Sequence, residues 1–170
     1  MSATAHDSET PAKGQQVITA VAFIHAELDG KTKVFLPRRA ATKKFLPNVF
    51  ELPGGHIDFG EDLETGLARE IMEEFGMNVE IGDPFGAFTY TNEVKGSHSI
   101  EIVYFAQFTD PIDQITLDEE DHSEYRWVAV DDMAEVYADQ KGEDDVEYAI
   151  VRRGFALLDG SAINAGESQG

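Results

Sequence analysis

The chain has 170 residues, of which 33 are acidic and 13 are basic, and its formal net charge is -20 at pH 7. This length and a hydrophobic content of 42% suit a single domain with a sizeable core. The acidity argues against binding of nucleic acid in bulk, and the lack of cysteine excludes disulfides, zinc-thiolate sites and a cysteine nucleophile. No basic start with an apolar run and no long apolar stretch is seen, so we expect a cytoplasmic protein without a membrane partner.

Strands and helices are predicted to alternate along one domain at 15–159, between flexible polar tails at 1–14 and 160–170. In chain order, the pattern predicts strands at 16–25 and 33–37, a helix after Asp62, strands at 78–92 and 99–109, a short helix from Met133 capped by Asp131 or Asp132, and a last helix at 146–158. No repeat or interdomain linker interrupts this order. The pattern alone indicates layers of mixed helices and strands.

Residues 55–77, GHIDFGEDLETGLAREIMEEFGM, carry the clearest chemical signal. If Asp62 caps a helix here, then Glu70, Glu73 and Glu74 project from one face. Crowded carboxylates raise one another's pKa and destabilise a helix unless a cation binds among them, and ligands that are all oxygen favour Mg²⁺ or Mn²⁺. The apolar stripe that would pack this helix on a sheet comprises Leu63, Leu67 and Ile71. The segment therefore predicts three metal ligands on a packed helix.

The residues around these glutamates have supporting roles in this interpretation. Arg69 is four positions before Glu73, so it can pair with a carboxylate and hold its rotamer. Gly54 and Gly55 before the helix and Gly76 after it occupy positions where turn or left-handed dihedrals are expected. We therefore predict a rigid loop that leads into a metal-binding helix.

The segment resembles the Nudix box: a glycine, five residues, a glutamate, seven residues, then Arg-Glu-apolar-any-Glu-Glu-any-Gly-apolar, with every fixed position met. Residues 52–54 and 124–128 are also similar to the family. The resemblance implies an α/β/α sandwich with a mixed central sheet. It further implies metal-dependent hydrolysis of a nucleoside diphosphate linked to a group X, with Glu70, Glu73 and Glu74 as catalytic metal ligands and Glu61 as a supporting carboxylate.

The resemblance leaves the source of the general base open, since family members take it either from the box or from a later loop, which is 117–127 in this chain. Glu120 is the first candidate and Glu124 the second, with Glu119 and His122 as further options. An exposed acidic loop without a catalytic role is the alternative. Position relative to the attacking water decides between them, and a sequence does not display it.

Substrate contacts are expected outside the box. Arg38 and Lys43 lie in a basic stretch just before it, and the hypothesis is that they touch substrate phosphates, with a solvated basic turn as the alternative. Phe50 and Tyr90 are candidates for stacking on a base, together with Phe45, Phe59 and Tyr125, although aromatic residues on strands are more often core.

The sequence LPGGHIDFGE is similar to members that cleave (deoxy)nucleoside triphosphates to monophosphate and pyrophosphate, so a nucleotide-type small molecule is the expected partner. ADP-ribose, nucleotide sugars and dinucleoside polyphosphates remain alternative substrates. A catalytically inactive nucleotide-sensing domain is the alternative of another class, whereas the lack of cysteine weighs against a prenyl diphosphate isomerase. Whether the chain forms a homodimer is left open.

Overall fold

A mixed sheet lies at the centre of the fold. The computed structural model describes residues 11–138, 140 and 145–160, and within them the sheet has six strands. The elements are β1 (Gln16–Leu28), β2 (Lys31–Arg39), β3 (Gly54–His56), α1 (Leu63–Phe75), β4 (Val79–Asn92), β5 (Ser97–Phe108), β6 (His122–Ala129), α2 (Met133–Tyr137) and α3 (Val146–Asp159). The four predicted strands and the three predicted helices are all present.

The strand order is β4-β5-β1-β2-β6, and β3 pairs with β1. The pairing of β1 with β5 is parallel and places Thr19 opposite Glu101, whereas the other pairings are antiparallel. On its other side β1 pairs with β3, where Ala20 is opposite Gly55. This arrangement brings residues from distant parts of the sequence to either side of β1.

Helices cover both faces of the sheet, because side chains alternate along β1. One face packs against α1, through a cluster that includes Ala22, Ile24, Phe35, Leu67, Ile71 and Phe75. The other face packs against α2 and α3, through a cluster that includes Val21, Phe23, Leu36, Met133, Val151 and Phe155. The fold is therefore the expected α/β/α sandwich with a mixed sheet. In the described residues no helix has the length and apolar content needed to cross a bilayer.

Several details differ from the sequence-based expectation. The strand β3 was not predicted, since three residues that include two glycines give no periodic signal. A 3₁₀ turn at Val130–Asp132 precedes α2, and Asp132 makes no side-chain capping bond. The apolar positions Val146, Ile150, Phe155 and Leu158 predict an apolar face on the last helix, but Val146 is 50% exposed.

The predicted tails lie mainly outside the described residues, at 1–10 and 161–170. Ala12, placed in the first tail by the sequence, is buried, and its N–H donates to the carbonyl of Lys95 at 2.8 Å. Gly160 ends α3 in the left-handed conformation, with φ of 85°. The packed part of the described structure thus begins at Ala12, inside the predicted first tail.

Candidate active site

The glycines before α1 are required by close packing as well as by backbone conformation. Gly54 has φ of 152°, and a Cβ there would lie 2.1 Å from the carbonyl oxygen of Ala20. Gly55 has no left-handed backbone. Instead, a Cβ at Gly55 would lie 2.6 Å from the carboxyl carbon of Glu70. The prediction of special dihedrals is therefore correct for Gly54, whereas Gly55 is needed for the space it leaves.

The box helix begins and ends where the sequence predicts. The carboxylate of Asp62 caps it by accepting the N–H of Thr65 at 3.1 Å, and Gly76 ends it in the left-handed region with φ of 66°. Leu67 and Ile71 are fully buried in the core. With this face fixed, the three box glutamates line the adjoining cleft.

The cleft has a volume of about 360 Å³ and lies between α1, the sheet and the loops around it. One side is formed by Glu70, Glu73 and Glu74 from α1 and by the turn at Gly54 and Gly55. The remaining lining comes from the sheet, the loops and α3, and includes Thr19, Arg39, Lys43, Phe45, Glu51, Tyr90, Glu101, Asp118, Asp121, His122 and Glu147. The box residues are therefore gathered at one cavity with residues from six other segments.

Arg69 organises the box carboxylates. Its guanidinium forms a bidentate pair with Glu61, at 2.8 and 2.9 Å, and one nitrogen reaches both Glu70 and Glu73 at 3.2 Å. It also donates to the carbonyl oxygen of His56 at 3.2 Å. The predicted pairing of Arg69 with Glu73 is present, and its strongest partner is Glu61. Arg69 thus ties the turn after β3 to two of the three glutamates.

The two more buried box glutamates hold their protons more tightly than usual. Burial raises the pKa of Glu70 to about 7, and Glu73 adds to the effect although Arg69 opposes it. Burial, then Glu70 and Glu51, raise the pKa of Glu74 well above its usual range. One oxygen of Glu74, Oε2, is buried and has no hydrogen-bond partner among the residues that the structure describes. The crowding of carboxylates expected from the sequence is therefore present and is not fully relieved by Arg69.

The predicted substrate contacts divide into two groups. Lys43 and Tyr90 line the cleft, and Tyr90 stacks with Phe45 at a centroid distance of 6.1 Å and an interplanar angle of 15°. Arg38 lies outside the cleft lining, where it pairs with Glu124 at 3.1 Å. Phe50 also lies outside it, because its side chain is buried in the core, 6% exposed. A stacking role for Phe50 is therefore not supported.

Among the acidic residues of the later loop, the cleft lining includes Asp121 but neither Glu120 nor Glu124. Glu120 is exposed, and Glu124 pairs with Arg38 and with Arg126 at 3.3 Å. Asp121 accepts from the ammonium of Lys43 at 2.8 Å. The predicted loop does reach the cleft, but its turn places Asp121, the neighbour of Glu120, at the cavity.

Three further glutamates line the cleft that the sequence did not single out: Glu51, Glu101 and Glu147. Burial and the charge of Glu51 raise the pKa of Glu101 to about 8, and burial raises that of Glu147 well above its usual range. Burial acts in the same direction on Glu51, but its hydrogen bond with His122 and the charge of Arg39 lower its pKa overall. No motif marks these residues, since β1–β5 pairing and helix packing bring them together.

Comparison with known proteins identifies the family of this fold and site. The model of the NUDIX domain matches residues 18–153. The chain belongs to the Nudix family. Among solved structures, a binary complex of an Ap4A hydrolase from C. elegans has a TM-score of 0.67 and 26% identity, over 85% of this chain and 98% of that one.

Two curated Nudix relatives match shorter segments. The m7GpppN-mRNA hydrolase NUDT17 of Danio rerio is 39% identical over 72 residues, which make up 42% of this chain and 23% of that protein. A MutT-like protein of Streptomyces ambofaciens is 32% identical over 105 residues, or 59% of this chain and 64% of that protein. The chain therefore matches less than two thirds of the length of these relatives.

Nudix hydrolases generally use a divalent metal ion, and the box residues suit one chemically. Their donors are all carboxylate oxygens, and Oε2 of Glu74, which has no hydrogen-bond partner within the described part of the chain, is an acceptor that a cation would satisfy. Within the described residues, no three acidic or histidine side chains already stand in a metal-binding arrangement. Glu70 and Glu73 are instead turned to Arg69. The assignment of Glu70, Glu73 and Glu74 as ligands remains a prediction.

Proposed function

We propose that this Nudix protein is a pyrophosphohydrolase that cleaves a nucleoside diphosphate linked to a group X, with a (deoxy)nucleoside triphosphate as the preferred substrate. One observation carries the proposal: the cleft combines Glu70, Glu73 and Glu74 with a cation, Lys43, and the Phe45–Tyr90 ring pair. Such a cavity offers separate places for metal, phosphate and base. The products would be the nucleoside monophosphate and pyrophosphate.

The box glutamates would hold Mg²⁺ or Mn²⁺, which when bound neutralises phosphate charge and lowers the pKa of the attacking water. Arg69 keeps Glu70 and Glu73 oriented on α1 through its contacts at 3.2 Å. Lys43 can donate to a phosphate oxygen in place of Asp121, its present partner. Binding of the anion at Lys43 would thus release the Asp121 carboxylate.

We assign the general base to Asp121 rather than to Glu120. A base must reach the attacking water, and Asp121 lines the cleft close enough to Glu74 for its charge to raise the pKa of that carboxyl group. The test compares Asp121→Asn with Glu120→Gln. We expect a loss of turnover of about 100-fold or more in the first and near-normal turnover in the second. If Glu120→Gln instead loses turnover and Asp121→Asn retains it, the general base is Glu120.

The substrate is tested by a release assay for phosphate and pyrophosphate, with Mg²⁺ or Mn²⁺, over nucleoside triphosphates, ADP-ribose, nucleotide sugars and dinucleoside polyphosphates. Pyrophosphate with a nucleoside monophosphate from the triphosphates is the expected outcome. Dinucleoside polyphosphates are the second candidate, because an Ap4A hydrolase shares the fold over nearly its whole length. Absence of turnover on every compound would favour a nucleotide-sensing domain without catalysis.

A further inference from the structure

The sheet side of the cleft has hydrogen-bonding capacity that the proposed hydrolysis does not use. Glu101 on β5 is 8% exposed and lines the cavity. In the described structure its one hydrogen-bond donor is the hydroxyl of Thr19, at a long distance of 3.4 Å. A buried carboxyl group usually has several strong hydrogen bonds, because desolvation is otherwise costly. Glu101 is therefore a buried polar side chain at a cavity with most of its capacity unmet.

Glu147 reaches the same cavity from the first turn of α3. Its Oε1 accepts the backbone N–H of Leu52 and the hydroxyl of Tyr137, the latter at 3.3 Å. These bonds fix the position of the carboxyl group and use only one of its two oxygens. Glu101 from β5 and Glu147 from α3 thus both line the cleft, and together they are called the wall below.

The protonation of this wall differs from that of an ordinary acidic patch. Burial raises the pKa of Glu101 to about 8 and that of Glu147 well above its usual range, so it favours the neutral form of both carboxyl groups. Glu51, which also lines the cleft, is ionised, and it is engaged by His122 at 2.9 Å and by Arg39 at 3.6 Å. A neutral carboxyl group presents a donor O–H beside an acceptor C=O. The wall therefore offers paired donors and acceptors and little free negative charge.

The neighbouring aromatic pair favours a flat ligand. Phe45 and Tyr90 line the same cavity with nearly parallel rings. Ring faces of this kind bind planar heterocycles by stacking. A phosphate would be repelled by Glu51, and a cation would require Glu101 and Glu147 to ionise against burial and against each other. A heterocycle with an acceptor next to an N–H donor can form two hydrogen bonds with a neutral carboxyl group, whose O–H donates and whose C=O accepts.

We propose that Glu101 and Glu147 read the hydrogen-bonding edge of the nucleobase, while its ring packs on Phe45 and Tyr90. This inference rests on the proposed function, since it concerns the base of the same nucleotide. It assigns selection among substrates to β5 and α3 and leaves hydrolysis to α1. A site built to hydrogen-bond a ligand group rejects analogues that lack it, because its own buried groups then stay unpaired.

The test is calorimetric titration of the full chain with AMP, GMP, CMP and UMP, and with ribose 5-phosphate, which lacks a base. We expect at least one monophosphate to bind about tenfold or more tightly than ribose 5-phosphate. Glu101→Ala should abolish that preference without weakening ribose 5-phosphate, and Glu147→Gln should alter which base is preferred. Glu80→Ala, an exposed change on β4, is the matched control and should match the wild type.

A variant whose side chain has the same size as glutamate tests whether misfolding explains the result of Glu101→Ala. Glu101→Gln keeps a donor at every pH, so it should retain the base preference at pH 9, where wild-type Glu101 is ionised and the preference falls. The other titratable groups facing Glu101 are Glu51, Tyr90 and Glu147, and they are the same in both proteins. Two results would overturn the inference. One is a base preference in Glu101→Ala equal to that of the wild type, and the other is that no monophosphate binds more tightly than ribose 5-phosphate.

These binding measurements are independent of turnover. If the chain hydrolyses no compound but prefers a base through Glu101, the proposed function fails and the inference stands. If it hydrolyses nucleotides but binds ribose 5-phosphate equally well, the inference fails alone.

Discussion

Gly55 and Glu70 are packed so closely that a methyl group on Gly55 would lie 2.6 Å from the carboxyl group of Glu70. Gly55→Ala should therefore displace Glu70 and lower kcat by about 100-fold, because small misplacements at a reacting centre are costly. Gly60→Ala is the control, since that glycine has open space around it and only its φ of 85° is strained. A Gly55→Ala variant with wild-type kcat would show that Glu70 can move without consequence.

The exposed box glutamate gives a clean test of the metal site. Glu73 is 58% exposed at its side chain, so Glu73→Gln should leave folding intact. If it supplies a metal oxygen, turnover should fall by about 100-fold or more and the required Mg²⁺ concentration should rise. Glu64→Gln removes an exposed carboxylate from the same helix outside the cleft and should have little effect on turnover. Steady-state rates over a Mg²⁺ titration provide the comparison.

Arg69 and Glu61 should act as one unit, because the two shortest contacts of the guanidinium, at 2.8 and 2.9 Å, go to the same carboxylate. Arg69→Lys cannot reproduce that geometry and should reduce kcat nearly as much as Arg69→Ala. In a double-mutant cycle with Glu61→Gln, we expect a coupling free energy of about 1 to 3 kcal/mol. Additive effects on unfolding and on kcat would mean that the pair does not orient the box.

The sequence predicts Arg38 and Lys43 equally as contacts for substrate phosphates, but the structure places them in different surroundings. Lys43 lines the cleft, whereas Arg38 is engaged outside it by Glu124. Lys43→Glu should raise KM about tenfold or more, since a charge-assisted hydrogen bond is lost and a repulsion is added. Arg38→Glu should leave KM within about twofold of the wild type. An equal rise in both would indicate a general effect of charge on the encounter with substrate.

Stability should fall as the pH rises, because of Glu101. Its pKa is about 8 in the folded chain and 4.5 as the usual value, so between these limits the folded state holds a proton that the unfolded state releases. The free energy of unfolding then decreases by up to about 1.4 kcal/mol per pH unit from this group. Glu101→Gln removes the ionisation, so its Tm should exceed that of the wild type at pH 8 and the difference should shrink at pH 5. Thermal unfolding at the two pH values measures this.

Local signals predicted the box helix well. Asp62 and Gly76 cap it as expected, because capping depends on residue type within a few positions. The sandwich came from the family resemblance, whereas strand periodicity located the long strands to within a few residues. Ser97–Phe108, for example, was expected at 99–109.

Other parts of the site depend on contacts that no local pattern encodes. Glu101 faces the cavity because the parallel pairing of β1 with β5 sets it opposite Thr19, and Glu147 does so because α3 packs across the sheet. Phe50 was expected to meet a ligand, but the loop before β3 turns it into the core. Likewise, the turn that precedes β6 decides that Asp121 lines the cleft and that its neighbour Glu120 does not.

The separation of the cleft into a helix side and a sheet side has a consequence for altering this protein. Glu101 and Glu147 belong to elements that contribute none of the box residues. Mutant libraries restricted to these positions and to Phe45 would therefore change which nucleotide binds without altering α1. Selection on new nucleotide analogues could then proceed while the rate of bond cleavage is held constant. The same separation would let natural sequences change their substrate while they retain one reaction.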